Sequence, residues 1–498
     1  MAEMKRLAKE TAIYGVSSIL GRFLNWCLVP FYTFVLGGPE KYGVVANVYA
    51  WTALLLVILT YGMETGFFRF ANKPGNKPEQ VYSTSLTCLG VTSVLFLILF
   101  YLFLPSVAGF LKYDKHPEYL WMMAFTVAVD AFSAIPFAWL RFLKRPILFA
   151  SLRILMIVVN IFFNLFFLWI CPMIDKANPD LIAWFYDPDY KVGYVFVANV
   201  ISSVIGLIAL APFFIKTRWD FSMKLLKDML RYSAPLLILG IAGIMNQSLD
   251  KIILPYLYEN TDIGNEQLGI YTACFKLGII MMMFTQAFRY AYEPFVFSKQ
   301  RDKDSSNSYA EAMKYYLIFS VLVFLGVMFY LDVLKYLLDV RFHEGLVVVP
   351  IVLLCYIFQG ITFNLSFWYK LTDKTNWGAY ISLIGLVITV AGNVLLVPVF
   401  GYIASAWSSF VCFLVMMIVS WSLGQKYYPI DYNLKRVGKY VLITGVLYVL
   451  GMYIPINNLH LRIIYRTILL GLFVVYILKS DIPAGSLSFL SRKQKKTD

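Results

Sequence analysis

Apolar runs of about 20 residues recur from one end of the chain to the other, separated by short polar stretches. That length is what a helix needs to cross a hydrocarbon core roughly 30 Å thick. The pattern predicts about fourteen transmembrane helices, over residues 11–36, 42–69, 81–104, 118–143, 147–171, 192–215, 232–257, 267–293, 312–334, 346–369, 376–398, 401–425, 437–455 and 463–479. The alternation expected of a membrane β-barrel is absent. The expected fold class is therefore an all-α polytopic membrane bundle, and an even number of spans puts both termini on one side.

Composition narrows this further. The chain has 498 residues, of which 60% are hydrophobic and only 14% charged, against about 25% charged in soluble domains. The basic start (Lys5, Arg6, Lys9) precedes an apolar run too long for a signal-peptide core, so it reads as a retained first helix. The six cysteines are scattered through the apolar segments without metal or disulfide spacing, and no metal site is expected. The N-terminus and the stretches 69–80, 141–145, 216–231, 299–314, 370–374, 426–439 and 479–498 together hold 29 of the 43 Lys and Arg. By the positive-inside rule both termini are cytoplasmic. The net charge of +14 is then a topology signal and a match to anionic membrane lipids, with no nucleic-acid module behind it.

No connection is long enough for a soluble domain. The longest external loop is 172–191, and the longest cytoplasmic one, 216–232, reads as a short amphipathic helix along the interface. The expected organisation is an N-lobe over 1–215, a linker over 216–231, a C-lobe over 232–425 and a final helix pair with a basic tail over 426–498. A weak internal match supports the two lobes: LVPFYTFVLGGPEKYGVVANVY lies against ILPYLYENTDIGNEQLGIYTACF, so that Gly43 meets Gly269. Units with an even number of spans repeat in parallel orientation.

The opening ETAIYGVSSILGRFLNWCLVPFYTFVLGGPEKYGVV, the segment SAPLLILGIAGIMNQSLDKIILPYL with LGIYTACFKLG, and GNVLLVPVFGYIASAWSS resemble the polysaccharide exporters of the multidrug/oligosaccharidyl-lipid/polysaccharide superfamily. The resemblance implies a V-shaped, two-lobed, alternating-access bundle in the bacterial plasma membrane. It would flip an undecaprenyl-pyrophosphate-linked oligosaccharide such as O-antigen or capsule precursor, as a monomer. No cofactor is implied, coupling to an H+ or Na+ gradient is, and glycan polymerases or ligases are the implied partners.

Charges inside spans are costly and commonly functional. Arg22 lies near the middle of the first span, and Asn25, three residues on, shares its face. A guanidinium there suits a pyrophosphate or a sugar hydroxyl, or else a structural ion pair. Lys276 lies about 13 Å into the eighth span, and the resemblance to lipid II flippases implies cavity-facing cations on the first and eighth helices. Asp130, the acid nearest the middle of a span, is expected either to neutralise Arg22 or to be the ion-coupling site. Asp250 and Lys251 read as a pair or gate at the outer end of the seventh span. Glu64 with Arg69, and Arg289 with Glu293, read as an inner gate or as interfacial anchors. Arg153 reads as a snorkelling anchor. Asn160 and Asn164, and Gln359 and Asn364, are expected as interhelical hydrogen-bond partners or sugar contacts.

Other function classes fit less well. A multidrug exporter would favour acids over Arg22 and Lys276, and a lipid II flippase differs only in the glycan. An enzyme is not expected: His116, His343 and His460 stand on separate short loops, Asp187 and Asp189 flank a turn proline, and no phosphate-binding GxxxxGK[ST] motif occurs.

Overall fold

The computed structural model describes residues 2–215, 217, 219–299, 305–372 and 374–481, and among them no strand occurs. The helices are, in chain order, α1 (Ala2–Val35), α2 (Pro39–Thr60), α3 (Met63–Ala71), α4 (Pro78–Leu102), α5 (Leu104–Phe110), α6 (Pro117–Phe142), α7 (Pro146–Leu165), α8 (Cys171–Ala177), α9 (Lys191–Ile215) and α10 (Met223–Ile253). They continue with α11 (Thr261–Leu277), α12 (Ile279–Lys299), α13 (Ser305–Phe329), α14 (Leu331–Leu334), α15 (Val349–Leu365), α16 (Phe367–Leu371), α17 (Asn376–Phe400), α18 (Tyr402–Tyr427), α19 (Leu434–Tyr453) and α20 (Leu459–Asp481). Only helices close all their own backbone hydrogen bonds in lipid. Pro39, Pro78, Pro117 and Pro146 each open one, where the missing N–H costs nothing.

Among the described residues eleven helices are long and apolar enough to cross a membrane, or twelve if Thr261–Leu277 and Ile279–Tyr290 form one broken span. The chain is thus an all-α, multi-pass membrane protein, and the expected fourteen spans are not all reached. The eighth expected span is broken at Gly278, α1 counts only through the shorter apolar stretch Ile19–Val35, and α19, with Lys435, Arg436 and Lys439 in its first turns, is not among the eleven. The second expected span is interrupted at Tyr61 and Gly62, whose φ angles of 34° and 70° turn the chain between α2 and α3. The expected amphipathic linker helix is instead the start of α10, which Ser222 caps by accepting from the Leu225 amide, and which runs unbroken through Pro235.

By its contacts the chain forms two compact units: Met1–Lys276 with Leu338–Val348 and Asn376–Met416, and Leu277–Leu337 with Val349–Thr375 and Met417–Asp498. In the first, α6 packs on α2, α4 and α9, α7 packs on α1 and α9, and α10 packs on α2 and α17. Its aromatic core includes Tyr82 stacked on Trp139 at 4.8 Å. Asn164 accepts from the Tyr32 hydroxyl at 2.8 Å and donates to the Asn160 carbonyl, joining α7 to α1 as an interhelical bond.

In the second unit α13 is central, packed on α12, α15, α19 and α20. Here Arg466, near the start of α20, is only 4% exposed. Its guanidinium donates to the carbonyls of Gly451 and Phe329 and pairs with Asp332 at 2.8 Å, while Arg462 reaches the same carboxylate at 3.0 Å. Arg466→Met should therefore destabilise the protein by about 3 kcal/mol, because it strands buried acceptors. Thermal unfolding in detergent measures this, and an unchanged midpoint would show the network to be incidental. Asn364 is buried in this unit with neither amide atom bonded, unlike the interhelical bond expected of it.

Candidate functional site

The first unit brings Arg22, Lys251 and Lys276 together. Arg22 is exposed on α1, and Lys276 feels both its charge and that of Lys251. The indole of Trp26, one turn along α1, donates to the Lys276 carbonyl at 2.8 Å. That carbonyl lies in the last turn of α11, where no helical amide remains to satisfy it, so the bond fixes α1 against α11 beside the cations. Asn25 is exposed on the same stretch of α1.

Lys251 and Asp250 are a local pair. The Lys251 ammonium is 3.0 Å from both Asp250 oxygens and sits 4.1 Å from the centre of the Phe275 ring. Asp250 also accepts from the Tyr271 hydroxyl at 2.6 Å and from the Lys251 amide at 2.9 Å. Three cations against this one carboxylate leave the group with net positive charge, the chemistry that holds phosphate oxygens.

Asp130 stands in a different place. It accepts from Ser203 on α9 at 2.8 Å, and its electrostatic partner is Arg153 on α7. Of its two expected roles, the pairing with Arg22 gives way to these two partners, in keeping with α6 packing on α9 and α7. Arg153 is no isolated anchor either: it lies 3.9 Å over the Phe137 ring and interacts with Glu64 and Arg141 as well. Glu64 pairs with Arg141 of α6, and Arg69 instead stacks on Tyr232 at 4.1 Å. Glu64 and Arg69 are five residues apart and so project differently from α3. Asp130, Arg153, Glu64 and Arg141 form one charge network on α3, α6 and α7.

In the second unit Arg289 lies 4.0 Å over the Phe363 ring. The side chain of Glu293 lies outside the described residues.

The ends of α2 and α11 meet through two glycines. A Cβ on Gly43 would fall 1.8 Å from the Asn265 carbonyl oxygen, and one on Gly269 would fall 1.9 Å from that of Pro39. Each glycine thus rests on the residue four positions ahead of the other, a local two-fold relation that the internal match of Gly43 with Gly269 foreshadows. Small residues let membrane helices approach this closely. Asn47, one turn further on, donates to the Lys251 and Ile252 carbonyls and accepts from Tyr113 and Tyr256.

Residues 338–348 strap this end. Arg341 donates to the Gly37 carbonyl at 2.7 Å and grips Asp339, and the Cys274 thiol donates to the Phe342 carbonyl. The hydrogen bonds from Arg341 hold the Asp339 carboxyl below the usual carboxylate range. A depressed pKa adds stability that is full above the unfolded value of about 3.9 and is lost as pH falls through the folded value. Hydrogen exchange around Gly37 and Asp339 should accordingly be no faster at pH 5 than at pH 7.5, once the intrinsic rate is corrected for. Faster corrected exchange at pH 5 would contradict the clasp.

Trp26, Tyr271 and Ser203 were not singled out by the sequence, because aromatic and hydroxyl groups inside spans are too common to mark a site, and Arg141 was counted with the cytoplasmic charges of 141–145. Gly43 and Gly269 had a signal in the repeat.

The structure resembles the lipid II flippase MurJ in an inward closed conformation, with a TM-score of 0.73 at 14% identity, covering 95% of this chain and 100% of that one. It also resembles an inward-facing multidrug resistance MATE family transporter of the MOP superfamily, with a TM-score of 0.63 at 15% identity, covering 84% and 96%. The MATE multidrug transporter DinF-BH in complex with R6G gives 0.58 at 15% identity, covering 85% and 95%. At such identities the likeness is one of fold. No curated protein sequence matches the chain. Residues 7–294, more than half of the chain, match the family model for polysaccharide biosynthesis proteins, and the chain belongs to that family.

Proposed function

We propose that the protein flips a polyprenyl-pyrophosphate-linked oligosaccharide, of the O-antigen or capsule class, across a bacterial plasma membrane by alternating access, without catalysing covalent chemistry. The observation that carries this reading is the net-positive group of Arg22, Lys251 and Lys276 on α1, α10 and α11. Such a group is expensive in lipid unless it meets an anion, and the pyrophosphate of a lipid-linked glycan is one. The prenyl chain can stay in the bilayer while the polar head is carried. Membership of a polysaccharide biosynthesis family supports a glycan as the cargo. Both termini are taken as cytoplasmic from the distribution of Lys and Arg. Coupling to H+ or Na+ belongs to the same proposal, with Asp130 as its candidate site.

A lipid II flippase would use the same cations, since its cargo has the same pyrophosphate. Export of cationic drugs would oppose them. Depleting the protein and locating lipid-linked intermediates tests the proposal: a non-peptidoglycan glycan on its polyprenyl carrier should accumulate on the cytoplasmic leaflet. Accumulation of lipid II alone would move the assignment to the peptidoglycan precursor, and a normal distribution of both would sink it.

A further inference from the structure

We infer that Asp250, held in place by Tyr271, is an internal competitor of the cargo's phosphates for the Lys251 ammonium. The inference rests on the pyrophosphate reading above and adds how such a site releases what it binds.

The pair is built asymmetrically. Asp250 is 3% exposed and has two donors besides the ammonium, the Tyr271 hydroxyl at 2.6 Å and the Lys251 amide at 2.9 Å. Its carboxylate therefore stays solvated by the protein if the ammonium leaves. Lys251 differs. Apart from Asp250, its ammonium has the Gln247 carbonyl at 3.3 Å and the faces of Phe275 and Tyr271. These weak contacts suit a cation at the end of a flexible four-carbon stem. A structural ion pair would bury and fix both partners. Here the acid has donors of its own, the base leans chiefly on that acid and has the more exposed side chain of the two, 13% against 4%, and the charge of Lys276 acts against that of Lys251 unless an anion joins them.

A pyrophosphate reaching Arg22 and Lys276 would offer Lys251 a second anion. Exchange of the ammonium between carboxylate and phosphate keeps each intermediate arrangement paired. Asp250 then lowers affinity for the cargo and hastens release, as a carrier requires: binding strong enough to enter and weak enough to leave.

The prediction has opposite signs for two neighbouring substitutions. Inorganic pyrophosphate binding is measured by calorimetry on the purified full chain in nanodiscs. Asp250→Asn removes the competitor and should tighten pyrophosphate about tenfold. Tyr271→Phe removes the carboxylate's other side-chain donor, makes Asp250 depend more on Lys251, and should weaken binding. Lys251→Gln in the Asp250→Asn background should cancel the gain. Equal or weaker binding by Asp250→Asn in folded protein, or tighter binding by Tyr271→Phe, overturns the inference while the anion site stands. Absence of pyrophosphate binding in the wild type overturns both. Should Asp250→Asn not fold, Tyr271→Phe decides alone, since it keeps every charge.

Discussion

Gly269→Leu should abolish transport while leaving the helices folded. The Cβ position at Gly269 is 1.9 Å from the Pro39 carbonyl oxygen and 3.1 Å from the Gly43 amide nitrogen. Both neighbours are backbone, so no rotamer change relieves the clash, and α2 must move off α11. A cost of several kcal/mol would deplete the arrangement with α2 against α11 by more than about 100-fold, and a carrier that cannot form one of its arrangements cannot cycle. The reporter is Cys274, fully buried on α11 with its thiol bonded to Phe342. In a background with no other cysteine, Gly269→Leu should expose it to a maleimide, and Gly43→Leu should do the same from the opposite helix. Gly471, with open space around its Cβ position, is the control, and its leucine variant should be silent. Cys274 that stays protected in Gly269→Leu would show that the glycine contact does not hold the helices together.

The glycine contact is also where sequence and structure agree most closely, and the reason is physical. An internal repeat aligns positions that occupy equivalent places, and two equivalent helices crossing at a local two-fold meet at equivalent residues. The positions of the spans were legible for a similar reason, since bilayer thickness sets their length. Their continuity was not. Tyr61 with Gly62, and Gly278, break helices inside apolar runs, where hydropathy carries no signal of a turn.

Partner choice was the least legible part. Depth along a helix can be read from sequence, but the direction a side chain faces depends on which helices pack together. Depth left Asp130 open between neutralising Arg22 and serving as an ion-coupling site, and packing gives it Ser203 and Arg153 as partners. Arg466 gave no sign in the sequence of its partners, yet α20 packs on α13 and α19, and three acceptors converge on it. Lys276 and Arg22, by contrast, were matched by depth, and the charge of Arg22 does act on Lys276, because Trp26, one turn from Arg22, bonds the Lys276 carbonyl.

Arg22→Ala should lose transport with membrane abundance near wild type. The side chain is exposed on α1, so its removal leaves no cavity. The helix is anchored without it, by Gly21 against Ile157 of α7 and by Trp26 on the Lys276 carbonyl. What is lost is the guanidinium fork, a planar group that can meet two phosphate oxygens at once. Arg22→Lys keeps the charge and loses the fork, so activity between the wild type and the alanine variant would mean that a point charge serves in part. A structural role makes a different forecast: Arg22→Ala would lower the amount of folded protein in proportion to activity, and adding Asp130→Ala would restore it by removing the abandoned acid. Since Asp130 is already held by Ser203 and Arg153, the double variant should recover nothing. Transport and abundance of the four proteins, measured side by side, separate an anion-binding arginine from a structural one.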